Sequence, residues 1–107
     1  MAEEPNWIVA CKVGDIEEED VFPFDFGADS YAIYRTASGY HATDGFCTHE
    51  LALLADGFVV GETIECPLHQ GRFDVRTGKA LSPPVSEALR THPVRIEGGQ
   101  ILIGLPK

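Results

Sequence analysis

Four residues of this chain combine metal-binding side chains with a spacing that can bring them together. They are Cys47 and His49 in Cys47-Thr48-His49, and Cys66 and His69 in Cys66-Pro67-Leu68-His69, with the sixteen residues 50–65 between the two stretches. Each stretch offers one soft thiolate and one imidazole. A two-Cys, two-His set holds either a tetrahedral zinc ion or an iron–sulfur cluster in which two histidines replace two cysteines on one iron. Ligands two or three residues apart converge on one point only from a tight loop. Gly45, Pro67 and Gly71 supply that loop chemistry, and glycines let backbone N–H groups approach an anionic sulfur. Zinc would be a closed, redox-silent staple, useful to a small domain. Its usual spacings, however, pair Cys with Cys and His with His, whereas each stretch here mixes the two. A binuclear cluster accounts for the mixture, each loop giving its cysteine to one iron and its histidine to the other.

The elements that must carry these loops read as strands. Trp7–Lys12 is a compact, β-rich apolar run, and Val21–Phe26 contains Pro23, which confines it to an edge or to irregular structure. Gly27-Ala28-Asp29 reads as a turn. Ser30–Thr36 and Tyr40–Thr43 form a hairpin about Ser38-Gly39, ending at Asp44-Gly45 before the first ligand stretch. Leu51–Leu54 is an apolar segment expected to pack against the domain. Phe58–Val60 and Thr63–Glu65 follow, the second leading straight into Cys66. Arg72–Val75 returns as a strand, Thr77-Gly78-Lys79 turns, and Ser82-Pro83-Pro84-Val85 is a stiff loop. Val94–Glu97 and Gln100–Gly104 close the chain as a second hairpin through Gly98-Gly99, with Val94 and Ile96 on one side. Seven to nine short strands with no helical periodicity predict an all-β antiparallel sandwich or barrel.

Composition narrows the function classes. With 107 residues there is room for one small domain, and 44% hydrophobic content suits a packed fold rather than disorder. Seventeen acidic against eight basic residues leave a net charge of −9, which excludes nucleic acid and anionic membrane as natural partners. A protein with a basic docking patch suits this charge better, although acidity also serves plain solubility. Three cysteines, an odd number, argue against a disulfide framework. The acidic N-terminus has no signal-peptide pattern, and no apolar run approaches the roughly 18 residues that span a membrane. A cytoplasmic protein with reduced thiols is expected. Cys11 reads as a small buried hydrophobe, and His41 and His92 as structural or surface histidines with no ligand partner at metal-binding spacing.

The stretch Cys47-Thr48-His49 together with Cys66-Pro67-Leu68-His69-Gln70-Gly71-Arg72-Phe73-Asp74 resembles the Rieske [2Fe–2S] proteins, in particular the small ferredoxins of bacterial aromatic ring-hydroxylating oxygenase systems. The resemblance spans nearly the whole chain. It implies one Rieske-type [2Fe–2S] cluster with Cys47 and Cys66 on an inner iron, and His49 and His69 on an outer iron near the surface. It implies a single Rieske domain over 1–107, with a cluster-binding portion at about 44–85 on a basal β portion of 1–43 and 86–107. Ser82-Pro83-Pro84 looks like a loop covering the cluster from a third side.

Two ferric ions, two sulfides and two thiolates sum to zero formal charge, so an electron is easier to add than at an all-cysteine centre. Rieske potentials run from about −150 to +300 mV against about −400 mV for plant-type clusters. Rieske proteins of respiratory cytochrome bc complexes carry a loop-bridging disulfide, and a serine and a tyrosine whose hydroxyls bond cluster sulfurs. The matching positions here are Ala52 and Leu68, and Gly71 and Phe73. Losing those donors predicts the low end of the range, and exposed imidazole ligation predicts a potential that falls at alkaline pH. Glu50 and Gln70 follow the histidines and would ring the exposed edge, with Arg72 and Arg76 nearby. No second metal site of the two-His, one-carboxylate kind accompanies the motif, so the expected role is one-electron transfer without bond chemistry. The resemblance implies a monomer that takes electrons from a flavin-containing, NAD(P)H-dependent ferredoxin reductase and passes them to a terminal Rieske oxygenase. The alternatives are a Rieske-like small subunit of an assimilatory nitrite reductase and a zinc-stapled binding module.

Overall fold

Residues 4–49, 51–68 and 70–106 are described by the computed structural model; His69 and Glu50, both named above, lie outside the described residues. Eleven strands are present among the described residues, in three antiparallel sheets. The first sheet has the order β1-β11-β10, from β1 (Asn6–Lys12), β11 (Gln100–Leu105) and β10 (Val94–Glu97). The second has the order β2-β3-β4-β9, from β2 (Asp20–Phe26), β3 (Asp29–Thr36), β4 (Gly39–Asp44) and β9 (Thr91–His92). The third has the order β5-β6-β7-β8, from β5 (Phe58–Val60), β6 (Thr63–Glu65), β7 (Arg72–Asp74) and β8 (Ala80–Ser82).

The sequence signals act as their chemistry requires. Gly98 and Gly99 take φ of 56° and 78° in the β10–β11 hairpin, the pair of positive angles that a tight two-residue turn demands. Pro23 lies opposite Ala32 in β2, a strand with β3 as its only sheet neighbour, so its missing N–H costs no inner ladder bond. Val75 lies beyond β7 and Ser82 ends β8, and other expectations shift as well. Asp29 belongs to β3 rather than to the preceding turn. The strand count exceeds seven to nine because β8 and β9, of three and two residues, form by pairing with β7 and β4.

The central wall of the domain is β3. Strand side chains alternate between faces, and both faces of β3 are apolar. Tyr31 and Ile33 pack into one core with Cys11, Ile16, Ala42, Ile101, Ile103 and Leu105. Ala32 and Tyr34 face a second core containing Leu54, Ile64, Phe73, Val75, Val85, Leu89 and the two motif cysteines, Cys47 and Cys66. The first core joins the sheets β1-β11-β10 and β2-β3-β4-β9, and the second packs the region of the two motif stretches onto the latter. Cys11 is buried as expected; desolvation, helped by Asp15, pushes its thiol up to about 11.

Candidate metal centre

Both motif stretches are hairpin tips built on one plan. The Cys47 N–H donates to Ala52 O at 2.9 Å, and the Cys66 N–H donates to Gly71 O at 2.7 Å. Each cysteine therefore opens a loop that closes five residues later. In the first loop, Phe46 and Leu53 form a β-bridge and Leu54 N–H donates to Gly45 O, so alternation sends Phe46 and Leu53 outward and Cys47, Ala52 and Leu54 inward. The expectation for Leu51–Leu54 holds for Ala52 and Leu54 but not for Leu51, which is 89% exposed at the tip. In the second loop Cys66 is buried, Leu68 is half-exposed, and Gln70 takes a φ of 61°. A non-glycine residue in the left-handed region is uncommon, and such strain concentrates at functional sites.

The donor set is split by depth. Cys47 and Cys66 retain 5% and 1% of their exposure, whereas His49 is exposed. Four ligands on one zinc ion share one point and hence one depth; a centre with an inner and an outer metal does not. The three described donors therefore fit a binuclear cluster with thiolates on its core side and imidazole on its solvent side. All three cysteines are free of disulfides, and Ala52 and Leu68 stand where a loop-bridging pair would be.

A third segment ties the loops together. The Thr48 hydroxyl donates to Glu87 O at 2.8 Å, and the Leu89 N–H donates to Gly78 O at 2.8 Å. Val85 occupies the space above Gly71, where a Cβ would stand 2.5 Å from Val85 Cγ1. Gly71 thus owes its lack of a side chain to this packing rather than to a left-handed backbone. Phe73, at the other position discussed above, is fully buried.

The remaining histidines are placed by structure. His92 donates from Nε2 to Asp44 Oδ1 at 2.8 Å and meets the Tyr31 ring edge-on, with centroids 5.1 Å apart. His41 is bonded through Nε2 to Ser38 Oγ at 2.8 Å, and desolvation lowers its pKa from the ordinary imidazole value. Arg72 pairs with Glu65 at 3.2 Å and Arg76 with Asp74 at 2.9 Å, so both cations are engaged by carboxylates of their own sheet. Sequence reasoning missed these partners because each histidine meets its neighbour through strand pairing or a turn rather than through a motif.

A two-loop, two-depth site on an all-β scaffold defines the class. The Rieske [2Fe-2S] domain model matches residues 6–93, and the chain belongs to that family; it carries a Rieske-type [2Fe–2S] cluster. Among curated relatives, the ferredoxin component of the naphthalene 1,2-dioxygenase system of Pseudomonas aeruginosa is 46% identical over 100 residues, covering 94% of this chain and 96% of that protein. A solved complex of reduced oxygenase and oxidized ferredoxin in carbazole 1,9a-dioxygenase contains a chain that superposes with a TM-score of 0.89 at 32% identity, over 94% of both chains. An NADH-dependent nitrite reductase small subunit from Mycobacterium tuberculosis superposes at 0.84 but is only 18% identical, over 98% of this chain and 99% of that one, which shows the fold alone.

Proposed function

We propose that this protein is the one-electron carrier of an aromatic ring-hydroxylating oxygenase system, holding its cluster through Cys47, His49, Cys66 and His69. The observation that carries the reading is the split in depth between buried cysteines and an exposed histidine, in a chain matched end to end by ferredoxin components. When bound, the cluster supplies reversible one-electron redox at a centre of near-neutral charge. Cys47 and Cys66 anchor its core side and exclude water from it. His49 and His69 would hold its outer edge. Phe46, Leu51, Leu53 and Leu68 place exposed apolar surface on the same two loops, which suits a partner that seats there briefly. The net charge of −9 favours a partner surface rich in lysine and arginine.

The proposed electron source is a flavin-containing, NAD(P)H-dependent reductase, and the proposed acceptor is a terminal Rieske oxygenase. No helix among the described residues is long and apolar enough to cross a membrane. An odd number of cysteines, three in all, supports the proposed cytoplasmic location, and the proposed working species is a monomer. The proposed cluster-binding portion is about 44–85, on a proposed basal portion of 1–43 and 86–107; that the sheet β5-β6-β7-β8 falls within the former supports this division.

Electron paramagnetic resonance of the dithionite-reduced protein, with iron and acid-labile sulfide analysis, tests the centre. A rhombic signal with an average g below the free-electron value is expected; zinc without sulfide would end this reading. Reconstitution with the reductase and terminal oxygenase of a naphthalene 1,2-dioxygenase system tests the role, with substrate-dependent NAD(P)H oxidation as the expected outcome.

A further inference from the structure

The turn between β5 and β6 is tethered to three separate segments of the chain. Gly61 N–H donates to Glu19 Oε2 at 2.8 Å, and Glu62 O accepts from Val75 N–H at 2.9 Å. The Glu62 carboxylate reaches the turn between β3 and β4. Its Oε1 accepts from Thr36 Oγ1 at 2.6 Å and from Ser38 Oγ at 2.8 Å, and its Oε2 accepts from Ser38 N–H at 3.2 Å. Since Ser38 Oγ–H is directed to Glu62, the same oxygen accepts from His41 Nε2–H, which also lies 3.9 Å from the carboxylate. The Glu62 side chain is 23% exposed, and these bonds, that from Thr36 foremost, hold its carboxyl below the usual range. A surface-turn glutamate ordinarily faces water; this one directs both oxygens at another turn, 24 to 26 residues away in sequence.

The position of this contact matters more than its strength. Strand β4 starts at Gly39, directly after the turn that Glu62 grips, and runs to Asp44, three residues before Cys47. Strand β6 starts at Thr63, directly after Glu62, and runs to Glu65, the residue before Cys66. These two strands do not pair with each other; they belong to different sheets. Their starting ends are nevertheless joined by the Glu62 contacts, and their far ends deliver the two cysteines.

We propose that Glu62 is a positioning residue that staples the start of β4 to the start of β6, so that Cys47 and Cys66 arrive at a fixed separation. The inference rests on the reading that these cysteines hold the cluster. Extended strands are stiff over a few residues, and six and three residues span about 20 and 10 Å at the usual rise, short enough for a fixed origin to fix the tip. The shared core of Ala32, Tyr34, Ile64 and Phe73 supplies cohesion between the sheets, but apolar contact is non-directional and leaves their sliding to be set by hydrogen bonds.

Three variants of the cluster-loaded protein test the staple: Glu62→Gln, Glu62→Ala and Ser38→Ala. Glu62→Gln removes the charge and the acceptor of Ser38 N–H but keeps a carbonyl acceptor for the Thr36 and Ser38 hydroxyls; Glu62→Ala removes all three. The readouts are the EPR line shape of the reduced protein, the rate of cluster bleaching by a chelator, and far-ultraviolet circular dichroism on heating. Glu62→Ala should broaden the EPR line and bleach about tenfold faster than Glu62→Gln, the ratio that one to two net hydrogen bonds represent. Ser38→Ala should bleach about threefold faster than the parent, for the loss of one of the three bonds that the Glu62 carboxylate accepts. Identical behaviour of Glu62→Gln and Glu62→Ala would reduce the effect to charge and overturn the staple. So would a lower melting temperature in Glu62→Ala with the parent's EPR line and bleaching rate. If Glu62→Ala does not fold, Ser38→Ala decides, and parental bleaching there overturns the proposal. A parent protein devoid of iron and sulfide would instead remove the cluster reading, and with it what the staple positions.

Discussion

Replacing Gly71 by serine addresses both the packing of the second ligand loop and the tuning of its cluster. A Cβ at this position would lie 2.5 Å from Val85 Cγ1, 3.1 Å from Cγ2 and 3.3 Å from Cβ. Carbon atoms pack at about 3.5–4.0 Å, so the nearest overlap is about 1 Å. The obstacle is a β-branched side chain with a stiff χ1, only 6% exposed, and it has little room to turn away. Overpacking of this kind costs about 1–3 kcal/mol. In a domain of this size each kcal/mol moves the melting temperature by about 4–8 °C, so Gly71→Ser should lower it by roughly 5–20 °C. Val85→Ala alone removes two buried methyl groups and should cost about 1.5–3 kcal/mol. Combined, the two should cost about 1–2 kcal/mol less than their sum, because the alanine vacates the space that the serine needs. The assay is a double-mutant cycle on the cluster-loaded proteins, with melting followed by far-ultraviolet circular dichroism at one scan rate. Additive effects, or a Gly71→Ser protein that melts with the parent, would refute the packing argument. The cycle also exposes the redox question. If a missing hydroxyl keeps the potential low, the double variant should show a more positive midpoint in protein-film voltammetry than Val85→Ala alone.

Four other outcomes follow from the structure. Cys11, with its thiol pushed up to about 11, should be about one part in a thousand thiolate at pH 8 and resist iodoacetamide until the protein unfolds; rapid labelling of the native protein would contradict its burial. Because the folded state keeps this proton while the unfolded chain loses it above the ordinary value of 9.0, stability should be intact below pH 9.0 and decline towards pH 11, less steeply in Cys11→Ala. Tyr34→Phe deletes the buried bond of 2.9 Å to Thr43 Oγ1 and should cost about 1 kcal/mol, read as a fall of about 4–8 °C in melting temperature; an unchanged melting temperature would show that bond to be idle. Leu51→Ser, at a site 89% exposed, should leave stability within about 0.5 kcal/mol while slowing second-order reduction of the terminal oxygenase about three- to tenfold. Unaltered stopped-flow kinetics would remove Leu51 from the docking surface.

The proposed ligands stand out in the sequence because cluster chemistry compresses each half of such a site into three or four consecutive residues. Their surroundings were less so. Ser30–Thr36 was visible as a strand, but Tyr31, Ala32, Ile33 and Tyr34 are apolar on both faces, and alternation carries no information when both faces are buried. That pattern is what makes β3 the wall between two cores. The strands β8 and β9 had no signal of their own: Ala80–Ser82 runs into Pro83, and Thr91–His92 into Pro93, so partner strands rather than propensity define them.

The same reasoning explains why the hydrogen bonds behind the site escape sequence reading while its proposed metal donors do not. Thr48 reaches Glu87 across 39 residues, and His92 reaches Asp44 across 48. Serine, threonine and glutamate in turns are what solubility alone would place there, so composition cannot separate Glu62 from Glu17 or Glu18. What separates them is where the carboxylate ends up. Glu18 makes one contact of 3.8 Å with Arg35 from a side chain 88% exposed, in a setting where ion pairs contribute little. Glu62 ends against a backbone N–H and two hydroxyls, at the point where the strands leading to both cysteines begin. For a centre shared between two loops, the donors fix which metal group is held. The turns at the opposite ends of the strands fix how far apart the donors stand, and that information is distributed over residues that look interchangeable until the chain is folded.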